Sequence, residues 1–483
     1  MTPLPGDWEM VVGLEVHTEL QTATKMFCGC ANHFGSEPNT NVCPVCLGLP
    51  GSLPVLNERA VELAMAIGIA LHCTIAPSTF HRKNYFYPDM PKDFQISQYD
   101  LPINKGGYLD LPDASRVSIE RAHMEEDTGK STHLGGSGRI HGADRSLVDY
   151  NRSGVPLVEI VSGPDIRSSA QARAYASELR GILIATGASD GRMEEGSMRI
   201  DANVSVRRPG APFGTRCEIK NLNSLRSLQR AIDFEALRQI ELIEEGGTIR
   251  QETRHWDEVL GETSTMRTKE EAEDYRYFRE PDLVDLAPSE QWQHRVRDAL
   301  PAMPAQRRAA LVALLVAPSE AQLDAVAVVV DLGLEQYVHA AVGGGAEAAL
   351  TLARAANELA AGIGGLANLS LAAFTSTVLL EQAQALSATQ AKTVLGELLA
   401  HGGDPTRIAA TLGFEQLSSD SLGATVASLI DEHPDEWTRY RDGDEKLAQF
   451  FIGQVMKLTK GQANGKAVIA ELQARRSSRR LAD

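Results

Sequence analysis

Two groups of residues in this chain have types and spacings suited to chemistry. In the first, Cys28-Gly-Cys30 is followed, after a gap of twelve residues, by Cys43-Pro-Val-Cys46. Each short spacer turns two sulfurs toward one point. Four thiolates are the soft set that Zn²⁺ takes in closed structural sites. A redox pair or buried free thiols are the competing readings of the same spacing. Cys73 and Cys217 stand apart and read as inert core residues.

The second group starts at Val12-Gly-Leu-Glu-Val-His-Thr-Glu19. On a strand, Val12, Leu14 and Val16 face one side, and Glu15, His17 and Glu19 face the other. Alone, that row could be a solvated rim. Other segments favour a metal site. Glu159 interrupts the apolar run 155–161, where an unpaired carboxylate is costly and calls for a cation. Arg199, Asp201, Asn203 and Ser205 alternate with Ile200, Ala202, Val204 and Val206. His123-Met-Glu-Glu-Asp127 places three adjacent acids at a strand end. Carboxylates with one imidazole suit Mg²⁺ or Mn²⁺ better than zinc.

A metal held by acids suggests phosphate chemistry. Gly129-Lys130-Ser131 imitates the end of a P-loop, but Met124 stands where the earlier glycine is required. The run 135–138 completes no dinucleotide fingerprint. Both read as plain loops. Lys83 and Lys92 are better phosphate-binding candidates, because they bracket the aromatic, proline-stiffened loop Asn84-Tyr-Phe-Tyr-Pro-Asp-Met-Pro91.

The framework around these groups changes character along the chain. Short β-rich runs at 11–19, 108–111, 117–121, 155–162, 198–207 and 217–222 alternate with turns. Two amphipathic helices interrupt them. One is capped at Ser168–Ser169 and ends at Gly187; the other runs from Leu225 to Gly246-Gly247. Beyond about residue 290 the chain is rich in Ala and Leu at helical spacing, with Pro and Gly breaks. The expected fold class is α+β: a domain built on a mixed or antiparallel sheet over 1–290, followed by a helical domain over 291–402 and a small helical tail over 403–483.

A length of 483 residues, 43% hydrophobic content and 23% charge fit an ordinary multidomain protein. No run of eighteen apolar residues suggests a membrane span, and the first residues lack signal-peptide character. Few cysteines and no disulfide framework fit a reducing cytoplasm. The net charge of −17 argues against nucleic-acid binding over the whole surface. Lys457, Lys460, Lys466, Arg475, Arg476, Arg479 and Arg480 nevertheless make a local basic tail.

Several of these segments occur together, in a fixed order. They are Val12-Gly-Leu-Glu-Val-His17, His81-Arg-Lys-Asn-Tyr-Phe-Tyr-Pro-Asp89, Gln95-Ile-Ser-Gln98, His123-Met-Glu-Glu-Asp127, Ser146-Leu-Val-Asp-Tyr-Asn-Arg152, Glu194-Glu-Gly-Ser-Met-Arg199, Lys220-Asn-Leu-Asn-Ser224, Gln251-Glu-Thr-Arg254 and Asp274-Tyr-Arg-Tyr-Phe278. The set resembles the GatB family of aspartyl/glutamyl-tRNA amidotransferases, densely over the first ~290 residues and more loosely through Val455-Met-Lys-Leu-Thr-Lys-Gly461.

That resemblance implies ATP-dependent amidation of Glu-tRNA(Gln), Asp-tRNA(Asn) or both through an acyl phosphate. The ammonia would be released from glutamine by a partner A subunit, with a small C subunit completing a heterotrimer. It implies Glu15, His17, Glu126 and Glu159 as Mg²⁺ ligands, with Glu125 a near alternative. Lys83 and Lys92 would bind ATP phosphates. Asp201 would bind a second metal or position the ammonia, with Arg199 as its neighbour. Cys28, Cys30, Cys43 and Cys46 would hold a structural zinc, and the tail would grip tRNA. The rival readings are a stand-alone ATP-dependent ligase or kinase acting on a small acid, and a zinc-stapled RNA-binding scaffold.

Overall fold

The short β-rich runs assemble into one 13-stranded sheet in the computed structural model, which describes residues 4–135, 143–268, 275–414, 419–459, 463 and 465–478. Its main path runs Glu262–Thr268, Glu252–Asp257, Cys217–Leu222, Met198–Arg207, Glu9–Glu19, Pro156–Ser162, Arg116–Glu126, Phe94–Gln98, Phe80–Asn84 and Phe278–Arg279. Pairing along it is antiparallel except between Cys217–Leu222 and Glu252–Asp257, which run parallel. A parallel pair needs a crossover, and helix Leu225–Glu244 supplies it. The α+β expectation therefore holds.

Register decides what the sheet displays. His17 lies opposite Arg199 on one side and Glu159 on the other, and Glu159 in turn lies opposite His123. Residues opposite one another in an antiparallel ladder share a face, so four strands place these side chains in one row. The other face carries Val12, Leu14, Val16, Val158, Ile160, Ile200, Ala202 and Val204, all buried in one core.

Two helices cover that apolar face. Ser168 caps Ser169–Ala185 through the Gln171 amide, and the helix stops before Gly187, whose φ is +67°. Ser224 caps Leu225–Glu244 in the same way and Gly246 follows its end at φ +81°. Tyr175, Leu179, Leu228, Ile232 and Ile240 are fully buried. Each such side chain contributes roughly 1.5–3 kcal/mol relative to exposure. That burial keeps the polar row facing the other way.

The first compact unit spans Met1–Pro304. It extends beyond residue 290 because helix Glu290–Asp298 seats Val296 in the first core, with Trp292, Leu300 and Met303 packed against it. The second unit, Ala305–Asp483, is helical among its described residues and holds two cores. One gathers residues from Leu311 to Ala409, and the other gathers Leu422 to Leu472 around Trp437, Tyr440 and Phe451. The cut expected at 402 therefore falls inside the first of these cores. Helix Pro405–Thr411 buries Ala409 there, and Ile408 and Phe414 pack against it. Among the described residues no single helix is long and apolar enough to cross a membrane.

Candidate active site

The polar row forms part of the lining of a cavity of about 1040 Å³. At its centre His17 Nδ1 lies 3.2 Å from Glu125 Oε1 and 3.9 Å from Glu159 Oε2, and its Nε2 lies 3.9 Å from Asp201 Oδ2. One ligand atom each from His17, Glu125 and Glu159 lies within 4.8 Å of the others. One imidazole and two carboxylates at that spacing fit a single Mg²⁺ or Mn²⁺, with positions left for phosphate or water oxygens.

The electrostatics are those of a cation site. Burial opposes a charge on His17, but the hydrogen bond to Glu125 and the charges of Glu159, Glu125 and Asp201 outweigh it and raise its pKa to about 9. Burial also opposes the charge on Glu159, yet His123, His17, Lys83 and Arg121 pull its pKa down to about 2. Lys83 resists burial in the same way and stays cationic beside Tyr277, Glu125 and Glu159. Its Nζ lies 4.8 Å from the centre of the Tyr275 ring.

In the metal-free protein this raised pKa couples stability to pH. A histidine whose pKa rises from 6.5 to about 9 on folding contributes stability that is full below pH 6.5 and is lost as pH climbs through 9. Urea unfolding of wild type and His17→Ala between pH 6 and 10 should therefore converge at the alkaline end. A constant gap across that range would contradict the assignment.

Asp201 and Arg199 also line the cavity, and each has a partner. Lys220 Nζ pairs with Asp201 and lies 3.1 Å from Glu218, and these acids hold it charged against burial. Arg199 donates to Asp127 at 2.8 Å, and Asp127 also meets Arg152 at 3.2 Å. Glu15 stands two residues before His17 on the same face, where Asn203 Nδ2 donates to it at 2.9 Å. It belongs to the polar face but not to the three-ligand group.

Glu126 and Lys92 lie apart from the ligand group. Glu126 follows Ala122 and Met124 at period two and shares their apolar face, while His123 and Glu125 lie on the polar one with the ligand group. Glu126 is paired with Lys92 and accepts the Ile96 amide at 2.9 Å. The pair borders a separate pocket beneath the cysteine loop, away from His17 and Lys83. From this segment it is Glu125, not Glu126, that stands with His17 and Glu159, and Lys92 lines a different pocket from Lys83.

The four cysteines do converge, with their sulfurs within 4.8 Å of one another. Cys43 Sγ and Cys46 Sγ are 3.9 Å apart, close to the ~3.8 Å expected between sulfurs of a tetrahedral zinc site. The hydrogen bond from Cys28 leads the effects that pull the Cys46 thiol down to about 5, against burial and with help from the Cys43 amide and Lys25. The donor set fits Zn²⁺. Gly48, at φ +66°, lets the loop run so close to Lys92 that a Cβ would lie 2.4 Å from Lys92 Cγ. Cys46→Ser should lose bound zinc and melt several degrees lower, while kcat changes only a few-fold. Metal analysis and thermal melts check this, and an unchanged melt in a zinc-free variant would remove the structural role.

Sequence reasoning missed several residues of the site. His123 is buried beside the ligands, with Nε2 3.6 Å from Glu159 and 3.9 Å from Glu125. Its period-two spacing with Glu125 could have placed it there. Lys220, a cation in an otherwise mostly apolar strand, was another available signal. Tyr275 and Arg276 were marked only as part of a segment shared with the family, because nothing local ties so distant a segment to His17.

Known proteins share this chain's pattern over nearly its whole length. The family model described as the GatB/GatE catalytic domain matches residues 10–294, and one described as the GatB domain matches residues 337–475. The B subunit of the aspartyl/glutamyl-tRNA(Asn/Gln) amidotransferase of Frankia casuarinae is 51% identical over 480 residues, covering 95% of this chain and 94% of its own. Its namesake from a Nocardioides species is 48% identical, covering 96% of each chain. That from Mycobacterium tuberculosis is 49% identical, covering 95% and 93%.

Proposed function

The chain belongs to the GatB/GatE catalytic-domain family, and we propose that it amidates the mischarged aminoacyl group of Glu-tRNA(Gln), Asp-tRNA(Asn) or both, as the B subunit of a glutamine-hydrolysing ligase. The observation that carries this reading is the His17–Glu125–Glu159 group on the wall of a cavity that Lys83 also lines. The two rival readings lose support, since relatives named for the amidotransferase align with about 95% of the chain.

Ammonia cannot displace oxide from a carboxylate, so the side-chain carboxylate is first activated. Its oxygen attacks the γ-phosphorus of ATP and ADP leaves; ammonia then attacks the carbonyl carbon of the acyl phosphate and inorganic phosphate leaves. His17, Glu125 and Glu159 would hold Mg²⁺, which neutralises phosphate charge in such transfers. Lys83 sits at the wall with its ammonium against the Tyr275 ring, where its charge can meet phosphate oxygens. Asp201, oriented by Lys220, is the acceptor that can position incoming ammonia. Arg199 ties Asp127 to the same wall.

Ammonia would reach this chain from an A subunit that hydrolyses glutamine, with a small C subunit completing the heterotrimer. The site of action would be the cytoplasm, where tRNA is charged. The test is to incubate the assembled enzyme with glutamylated tRNA(Gln) and, separately, with aspartylated tRNA(Asn), each with ATP, Mg²⁺ and ammonium chloride. Gln-tRNA or Asn-tRNA should form; the absence of both with free ammonia supplied would refute the reading.

A further inference from the structure

The rim of the cavity carries aromatic rings that the phosphate and metal chemistry does not use. Phe86 is 67% exposed and Tyr87 is 50% exposed, yet both line the cavity. Large apolar rings held open at the mouth of a charged pocket mark a place where something flat is meant to lie.

The loop that bears them is held in place at both ends. Asn84 Nδ2 donates to the carbonyl oxygens of Tyr275 at 3.1 Å and Arg276 at 2.8 Å, which joins the loop to the segment before the last strand. At the far end Tyr150 OH donates to the Pro88 carbonyl at 2.7 Å, and the Gly129 amide donates to the Asp89 carbonyl at 2.8 Å. Arg276, at φ +48°, sets its guanidinium 5.9 Å from the centre of the Phe86 ring. Lys83 begins the same loop and points its ammonium at the Tyr275 ring. An open ring, a guanidinium beside it and a lysine at the loop's base make an ordered stretch of aromatic face followed by cations.

We propose that Phe86, with Tyr87 and Arg276, is a stacking platform for a purine base whose phosphates run inward toward Lys83. Any base presents a π-face, and stacking on an aromatic ring flanked by arginine needs no reading of the base edge. The cavity volume stands at the upper end of the range for single ligands, so a nucleotide and an aminoacyl end can share it. The adenine comes from one of two sources, ATP or the terminal adenosine of the tRNA. This inference rests on the reading of the cavity as a nucleotide-using site.

The experiment uses the assembled enzyme with Phe86→Ala and Phe86→Trp, and two probes for the phosphate end, ATP and inorganic tripolyphosphate. Phe86→Ala should weaken ATP binding about tenfold or more, leave tripolyphosphate binding unchanged, and be rescued by Phe86→Trp. If ATP binding is unchanged and the KM for Glu-tRNA rises about tenfold instead, with the same rescue, the base is the tRNA terminus. The platform is overturned if neither value moves, or if ATP and tripolyphosphate weaken equally. A wild-type enzyme that binds ATP more tightly than tripolyphosphate but amidates neither Glu-tRNA nor Asp-tRNA would remove the proposed function and leave the platform standing.

Discussion

His17→Ala should lower kcat/KM for amidation by at least about 10²–10³-fold and leave tRNA affinity unchanged. The size of the effect follows from where the ring sits. It touches Glu125 and lies within 3.9 Å of Glu159 and Asp201, so its removal leaves carboxylates facing one another with no imidazole between them. Mn²⁺ affinity, read by calorimetry, should fall in the same variant. Glu15→Ala should cost less, because Glu15 is held by Asn203 outside the three-ligand group. Amidation within a few-fold of wild type, or loss of tRNA binding along with activity, would show that this face is structural.

The second large effect concerns the tail. A chain ending after Phe414 keeps the core that spans Leu311 to Ala409 whole and removes the one built on Trp437, Tyr440 and Phe451. It should fold, retain the metal site and bind tRNA about tenfold or more weakly. A chain ending at Gly402 should lose stability as well, because it strips Ala409, Ile408 and Phe414 from the preceding core. Filter binding and thermal melts separate the two, and unchanged tRNA affinity in the first chain would dismiss the tail as a tRNA grip. Not every tail cation is available for that grip. Arg475 is spent on Glu471 at 2.7 Å and on the Gly423 carbonyl, and Arg476 stacks over Tyr440. Lys460, Arg479 and Arg480 lie outside the described residues, as does the side chain of Lys466.

Much of the fold was legible because local rules act over short distances. Ser168 announced one helix start, and Gly187 and Gly246 announced two helix ends, since caps and left-handed turns are chosen by side-chain chemistry. The cysteine quartet was legible for a similar reason, as each pair is joined by one tight turn. The domain edges were less so. Whether helix Glu290–Asp298 or helix Pro405–Thr411 joins the core before it or after it depends on surfaces far away in sequence.

The active-site face shows the division most clearly. Alternation along single strands was enough to put acids and a histidine on one face of several β-rich segments, because side chains alternate whatever the strand pairs with. The same alternation, counted from Ala122 and Met124, assigns Glu125 rather than Glu126 to the polar face. No segment read alone could say which strands lie side by side or in what register; that came with the folded sheet. The pairing brought His17, Glu159 and Asp201 together, set Lys220 against Asp201, and left Lys92 paired with Glu126 in a separate pocket. Register is fixed by burying one whole apolar face at once, a property of the assembled sheet rather than of any single segment.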